Sequence, residues 1–324
     1  MISKTKSPVS EADVKAMFLN AGIENASNIT SVDTGEYNAI FTAESGGKEY
    51  VIKIAPPPSV SVMTYEQNLM ATELYWYEQL RNASITIPKI HFQDLTPTKF
   101  HGGYFVMEKL PGKALNQLKL SKAEREHSTA AIASIAAEIH KVKNDRFGYI
   151  QTGLYESWYS TIKVMTENLI KDATNAGKSP SIGQKLLGYI EHYKDILTKV
   201  ECRMVNFDIH PGNIIKTSAT EYALVDLERG FWGDPVAEFV NLEMMTAFEK
   251  KQTSINAYNR LAETPLNITK EEKIRFAIAL GYLGLLMGTE RYYRYTRRNF
   301  GWWRNKLACA MLTHQAFGML NEPL

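Results

Sequence analysis

Three polar side chains, spaced among apolar runs, constrain this chain more than any other feature. In Met204-Val205-Asn206-Phe207-Asp208-Ile209-His210-Pro211-Gly212-Asn213-Ile214-Ile215 an acid is followed five residues later by an amide. Tyr222-Ala223-Leu224-Val225-Asp226-Leu227-Glu228 brings a second acid thirteen residues further on. Residues 204–207, 214–215 and 223–227 read as short buried strands, with Pro211-Gly212 and Thr217-Ser218-Ala219-Thr220 as turns. Such a loop and hairpin would carry Asp208, Asn213 and Asp226 to one place on backbone rather than on long side chains. Phosphoryl transfer needs this set: one carboxylate for the acceptor hydroxyl, and an amide oxygen with a second carboxylate for magnesium on the phosphates.

Further along, Gly233-Asp234-Pro235 has the form of a capped helix start, since proline suits a first turn and aspartate can cap it. Together these stretches resemble the catalytic and metal-binding loops of kinases. They are similar to the aminoglycoside phosphotransferase family, whose relatives include choline and other small-molecule kinases. The family's loop opens His-Gly-Asp, whereas this chain has Asn206-Phe207-Asp208, and Glu238 stands where the family usually has aspartate.

The resemblance implies an α+β, protein-kinase-like bilobal fold. Its N-lobe, a five-stranded antiparallel sheet, would span residues 1–110, and a mainly helical C-lobe residues 111–324. The sequence pattern agrees. Ser10-Glu11-Ala12-Asp13 caps a first helix. Residues 29–32, 39–43 and 49–54 then read as an antiparallel sheet, and residues 88–92 and 103–108 as two more strands. Lys53 is a charge on an otherwise buried strand and needs an anionic partner. Pro56-Pro57-Pro58 stops the sheet, and a helix is expected over 60–80, with Leu69, Glu73, Tyr77 and Leu80 along one side. Glu66 and Glu78 read there as solvated helix charges. Later helices are expected over 130–141, 158–172, 182–197, 237–251, 271–295 and 302–320.

The resemblance also implies roles. Lys53 would grip the phosphates of ATP (or GTP), and Glu73 would hold Lys53. Gly35, in the single-glycine turn Asp33-Thr34-Gly35-Glu36-Tyr37-Asn38, would cover the phosphates. Met107, Glu108 and Leu110, in Met107-Glu108-Lys109-Leu110-Pro111-Gly112, would form the adenine hinge. Asn213 and Asp226 would hold Mg²⁺, and Asp208 would take the proton of the acceptor hydroxyl. Asp234 would brace the catalytic loop, and His140, ending a helix, reads as structural.

Composition narrows the partners. A net charge of +2 gives no reason to expect nucleic acid, and no apolar run is long enough to span a bilayer. Two cysteines, Cys202 and Cys309, and an N-terminus without an apolar core suggest unpaired thiols in the cytoplasm. The expected partner is a small-molecule hydroxyl acceptor. Residues 241–324 hold 12 Lys and Arg against 7 Glu and no Asp, so they do not advertise a polycation site. Glu243 and Glu290 are the candidate cation contacts. Arg291, Arg294, Arg297 and Arg298, interleaved with Tyr292, Tyr293 and Tyr295 and followed by Trp302 and Trp303, suit either an aromatic-lined acceptor site or a solvated helix face. Expected activities are an aminoglycoside phosphotransferase-like kinase, a choline-, ethanolamine- or sugar-type metabolite kinase, or nucleotide binding without turnover.

Overall fold

The structure, a computed structural model, describes residues 3–32 and 35–321. Asp33 and Thr34 of the expected phosphate-covering turn lie outside the described residues. Helix α1 (Glu11–Asn20) begins at Ser10, whose side chain accepts from Asp13 N while Asp13 reaches back to the Ser10 backbone. Strands β1 (Ser27–Ser31), β2 (Ala39–Ser45), β3 (Lys48–Ile54), β4 (Ile90–Asp94) and β5 (Tyr104–Glu108) form an antiparallel sheet in the order β1-β2-β3-β5-β4, with α2 (Leu69–Gln79) between β3 and β4 in the chain.

The period-two alternation of a strand explains what each face carries. Ile52, Ile54, Tyr104 and Val106 point to one side and bury Val14 and Phe18 of α1 in a small core. Phe105 and Met107 point to the other, where α2 lays Trp76 and Tyr77 against them in the main core. Lys53 pairs with Phe105 in register, so it shares this second face and looks toward α2.

Beyond β5 the chain is mostly helical. A two-residue strand, β6 (Lys113–Ala114), leads to α3 (Lys122–Ile139), α4 (Trp158–Asn175), α5 (Ser181–His192) and α6 (Lys194–Thr198). Four short strands follow: β7 (Arg203–Val205), β8 (Ile214–Lys216), β9 (Tyr222–Leu224) and β10 (Phe231–Gly233). Here β6, β8 and β9 make one small sheet, and β7 pairs with β10 in another. Helices α7 (Gln252–Asn259), α8 (Lys270–Arg294) and α9 (Phe300–Asn321) complete the fold. Gly112 joins the two halves. Its φ of +102° and the 2.0 Å that would separate a Cβ from the Lys216 carbonyl oxygen leave room for no side chain there. Among the described residues no helix is long and apolar enough to cross a membrane.

Three expected helices are shorter than their patterns. Over residues 60–68 there is only a turn at Thr64–Glu66, because Glu66 accepts from Met63 N and Asp172 accepts from Thr64 N, diverting donors to side chains. Tyr193 separates α5 from α6. The segment 237–251 is not one helix but a 3₁₀ turn (Pro235–Val240), an irregular stretch and a second turn (Phe248–Lys250). There the buried Lys251 ammonium takes the carbonyl oxygens of Leu242 and Glu243, at 2.5 and 2.7 Å, in place of helical N–H groups. Glu243 and Met245 adopt φ values of 51° and 70°.

Candidate active site

The chain turns sharply on either side of the polar trio. Phe207 (φ 56°) and Asp226 (φ 66°) occupy the left-handed region, which costs a residue with a Cβ of order 1 kcal/mol or more unless its surroundings over-determine it. They do so here. Glu238, fully buried, accepts from Asn206 N at 2.7 Å and Phe207 N at 3.0 Å, and Asn241 Nδ2 donates to the Phe207 carbonyl at 2.8 Å. Asp226 N donates to Tyr77 Oη at 3.1 Å.

The brace of this loop is therefore Glu238, not Asp234 as expected. Asp234 caps its own turn through Val236 N and pairs with Arg275. Replacing Glu238 by alanine leaves two buried N–H groups unpaired and is expected to cost about 2–6 kcal/mol, read as a lower urea midpoint. An unchanged midpoint would mean the loop holds itself. His140 is structural, as expected, with Nδ1 against Tyr258 Oη at 2.8 Å. The Asn206 amide, where the family has histidine, is buried with neither polar atom partnered among the described residues.

These turns bring the expected residues to one cleft of about 1100 Å³, lined by Gly35, Lys53, Met107, Glu108, Leu110, Asp208, Asn213 and Asp226. Asn213 Nδ2 donates to the Asp208 carbonyl at 3.0 Å and to its carboxylate at 3.2 Å. Lys53 Nζ lies 2.7 Å from Glu73 Oε1 and 2.9 Å from Asp226 Oδ1. Burial alone would lower the Lys53 ammonium, but Asp226 and Glu73 outweigh it and hold it well above the usual lysine range. Burial likewise would raise the Asp226 carboxyl, and Lys53 reverses that. At the hinge Glu108 N is spent on the Lys89 carbonyl, while Leu110 N has no partner among the described residues.

Several residues of the cleft were not read from the sequence as site residues. Glu228, two places after Asp226, is buried and receives Asn38 Nδ2 at 3.1 Å; burial, then Asp226, push its carboxyl well above the ordinary range. Oxygens of Glu73, Asp226 and Glu228 lie within 4.8 Å of one another. Glu73 spends both oxygens on Lys53, so Asp226 and Glu228, with Asn213 bordering the same cleft, are the hard-oxygen donors that suit a divalent cation such as magnesium. The spacing of Asp226 and Glu228 could have signalled it.

A ladder of alternating charge had no sequence signal. Asp208, Arg229, Glu290, Arg294 and Glu66 pair in turn at 3.4, 2.8, 3.2 and 2.6 Å. Glu66 and Arg294 are thus buried ion-pair partners rather than solvated charges. The aromatic lining also fails. Of the tyrosines and tryptophans expected there, Tyr295 alone borders the cleft among the described residues, while Tyr292, Trp302 and Trp303 pack on one another under Arg291 and Lys306.

Glu36, just past Gly35, crosses to α9. Arg304 donates to it at 2.8 and 3.0 Å, and Tyr295 Oη donates to it as well. Burial would raise the Glu36 carboxyl, yet these donors hold it at about 2. Its folded value lies below the unfolded one, so the pair stabilises fully above the ordinary glutamate range and is lost as pH falls toward 2. A Glu36→Gln variant is expected to lose less melting temperature than the parent between about pH 5 and about pH 3. An equal loss would remove this contact from the acid response.

A sequence model described as the phosphotransferase enzyme family matches residues 28–265. No curated protein matches the chain. Among solved structures, a candidate aminoglycoside phosphotransferase from Ralstonia eutropha JMP134 superposes with a TM-score of 0.67 at 13% identity, covering 97% of this chain and 98% of that one. A thermostable mutant of aminoglycoside phosphotransferase APH(4)-Ia, in a ternary complex with AMP-PNP and hygromycin B, gives 0.63 at 15% identity over 94% and 97%. The streptomycin–ATP–APH(2″)-IIa ternary complex gives 0.59 at 16% over 95% and 99%. At these identities the likeness shows a common kinase-like α+β fold.

Proposed function

The chain belongs to the phosphotransferase enzyme family, and on that premise we propose how its residues move the γ-phosphate of ATP to a hydroxyl of a small molecule. The observation that carries the assignment is the junction at the cleft. Lys53 joins Glu73 to Asp226 there, and Asn213 hydrogen-bonds Asp208. Adenine takes the Glu108 carbonyl and the Leu110 N–H, with Met107 behind it, and the division between lobes falls near residues 110/111. Lys53 holds phosphate oxygens, oriented by Glu73, and the turn at Gly35 covers them.

Asn213 and Asp226, with Glu228 beside them, are the residues to hold Mg²⁺. The ion's contribution when bound is to neutralise charge on the phosphates. Asp208 orients the acceptor hydroxyl and accepts its proton, and Arg229 keeps that carboxylate in place. Donors fixed before the reaction supply most of what a loose phosphoryl transition state requires.

That relatives are solved with AMP-PNP or ATP beside hygromycin B or streptomycin supports a nucleotide and a small hydroxylated acceptor. Among the described residues only Tyr295 and His210 bring aromatic rings to the cleft, too few for the aromatic cage that a choline-type cation would take. The test is incubation with Mg²⁺ and ATP, or GTP, across a panel of hydroxylated metabolites and antibiotics, with mass detection of product. The expected result is an acceptor heavier by one phosphate together with the nucleoside diphosphate. Absence of any Mg²⁺-dependent nucleotide consumption across the panel would speak for a binding protein without turnover.

A further inference from the structure

The charge pairing of the cleft bears on the chemistry of the acceptor. We propose that the acceptor is a hydroxylated molecule with an apolar face and a single ammonium group, which Glu243 receives. This rests on the phosphotransferase reading and narrows it.

Besides Asp208 and Asp226 the cleft is bordered by the carboxylates Glu36, Glu108, Glu228, Glu243 and Glu290 and by the guanidinium groups of Arg229, Arg294 and Arg304. Glu108 ends strand β5 at the expected adenine side and accepts from Lys89 N. Glu36 is committed to Arg304, and Glu290 to both Arg229 and Arg294. Glu228 clusters with Asp226 on the nucleotide side. Glu243 remains. Its carboxylate accepts from the neutral Ser254 hydroxyl at 2.5 Å and makes no ion pair among the described residues. The Lys251 ammonium beneath it donates to main-chain carbonyl oxygens, and the Glu243 charge works against its burial without a direct ion pair. The backbone also sets where Glu243 stands. Asn241, two residues earlier, is bonded to the Phe207 carbonyl next to Asp208, so this carboxylate is carried on the same brace as the proposed base.

A polycationic acceptor would bring several ammonium groups to a wall where, among the described residues away from the hinge, Glu243 is the carboxylate without an ion pair and three arginines stand beside it, so each unmatched ammonium would be desolvated without a partner. An anionic acceptor fares no better. Arg229 and Arg294 cannot turn to it without stranding the buried Glu290 or Glu66. Beside Glu243 the wall has an apolar part, with Leu242, Met244, Leu283 and Met287 bordering the cleft. Unbranched methionines adapt to an apolar face of varied shape.

The test uses octyl glucoside, octyl glucosaminide and neamine, which carry no, one and four amines on hydroxylated rings. Each is titrated calorimetrically into the protein with Mg²⁺ and AMP-PNP, below micelle-forming concentrations. Octyl glucosaminide is expected to bind about tenfold tighter than either of the others, a margin that one partly buried ion pair can supply. Glu243→Gln should erase that margin while leaving octyl glucoside within about twofold. Tightest binding by neamine overturns the proposal, as does an equal loss for all three probes in Glu243→Gln. Failure of all three to bind while AMP-PNP binds normally also overturns it and leaves the phosphotransferase reading standing. Loss of Mg²⁺-dependent AMP-PNP binding removes that reading, and this proposal with it.

Discussion

Replacing Asp208 by alanine is expected to lower the rate of phosphate transfer about 10²–10⁴-fold, the usual worth of a positioned general base. Nucleotide affinity should hardly change, since Lys53, Glu73 and the hinge are untouched. Rapid-quench measurement of a single turnover, beside calorimetric nucleotide binding, separates the two effects. Asp208→Asn keeps a partner for Asn213 and controls for loop collapse; it should be nearly as slow as the alanine variant. Burial raises the Asp208 carboxyl, opposed mainly by Arg229. The acid limb of the rate profile should therefore lie above the ordinary aspartate range. Full turnover in Asp208→Ala would end its assignment as the base.

Asp226→Ala is the second large effect expected, a loss of at least about 10²-fold in turnover through the missing metal ligand. Folding should survive, because Lys53 keeps Glu73 at 2.7 Å and the strained carboxyl of Glu228 loses an acidic neighbour. The check is a Mg²⁺ titration of ATP consumption, with the melting temperature recorded alongside. A variant that keeps the parent's Mg²⁺ dependence and rate would move the metal site elsewhere. A variant that fails to fold would show that Asp226 is needed to neutralise Lys53, which the geometry around Glu73 speaks against.

What was legible beforehand follows the range of the interactions. Asp208, Asn213 and Asp226 are joined by tight turns, so spacing alone brought them together. Lys53 was visible as a charge out of step with a buried strand, and Glu73 as an acid on the inward stripe of a helix. Glu66 reads locally as a solvated charge because its partner Arg294 stands 228 positions away, and nothing local marks such a pair. The helix expected over 237–251 failed for a related reason. Its apolar period is sound, but Lys251 and Asn241 bond carbonyl oxygens that a helical ladder would need or direct the chain elsewhere. Asp234 suggests itself as the brace because it precedes the helix start, whereas the longer Glu238 side chain reaches the loop. The Tyr/Arg/Trp stripe was ambiguous by composition, and packing of its rings on each other settled most of it away from the cleft.

The contact between Glu36 and Arg304 has a consequence for biosynthesis. Ribosomes extend a chain from its amino end, so the tip of the β1–β2 hairpin emerges 268 residues before the arginine that fastens it. Arg294, whose carbonyl receives Lys4 N, arrives almost as late. While it is being made, the sheet must wait with Glu36 unpaired from Arg304. A translation stop anywhere before α9 would release a protein whose first hairpin is complete in sequence and unfinished in structure.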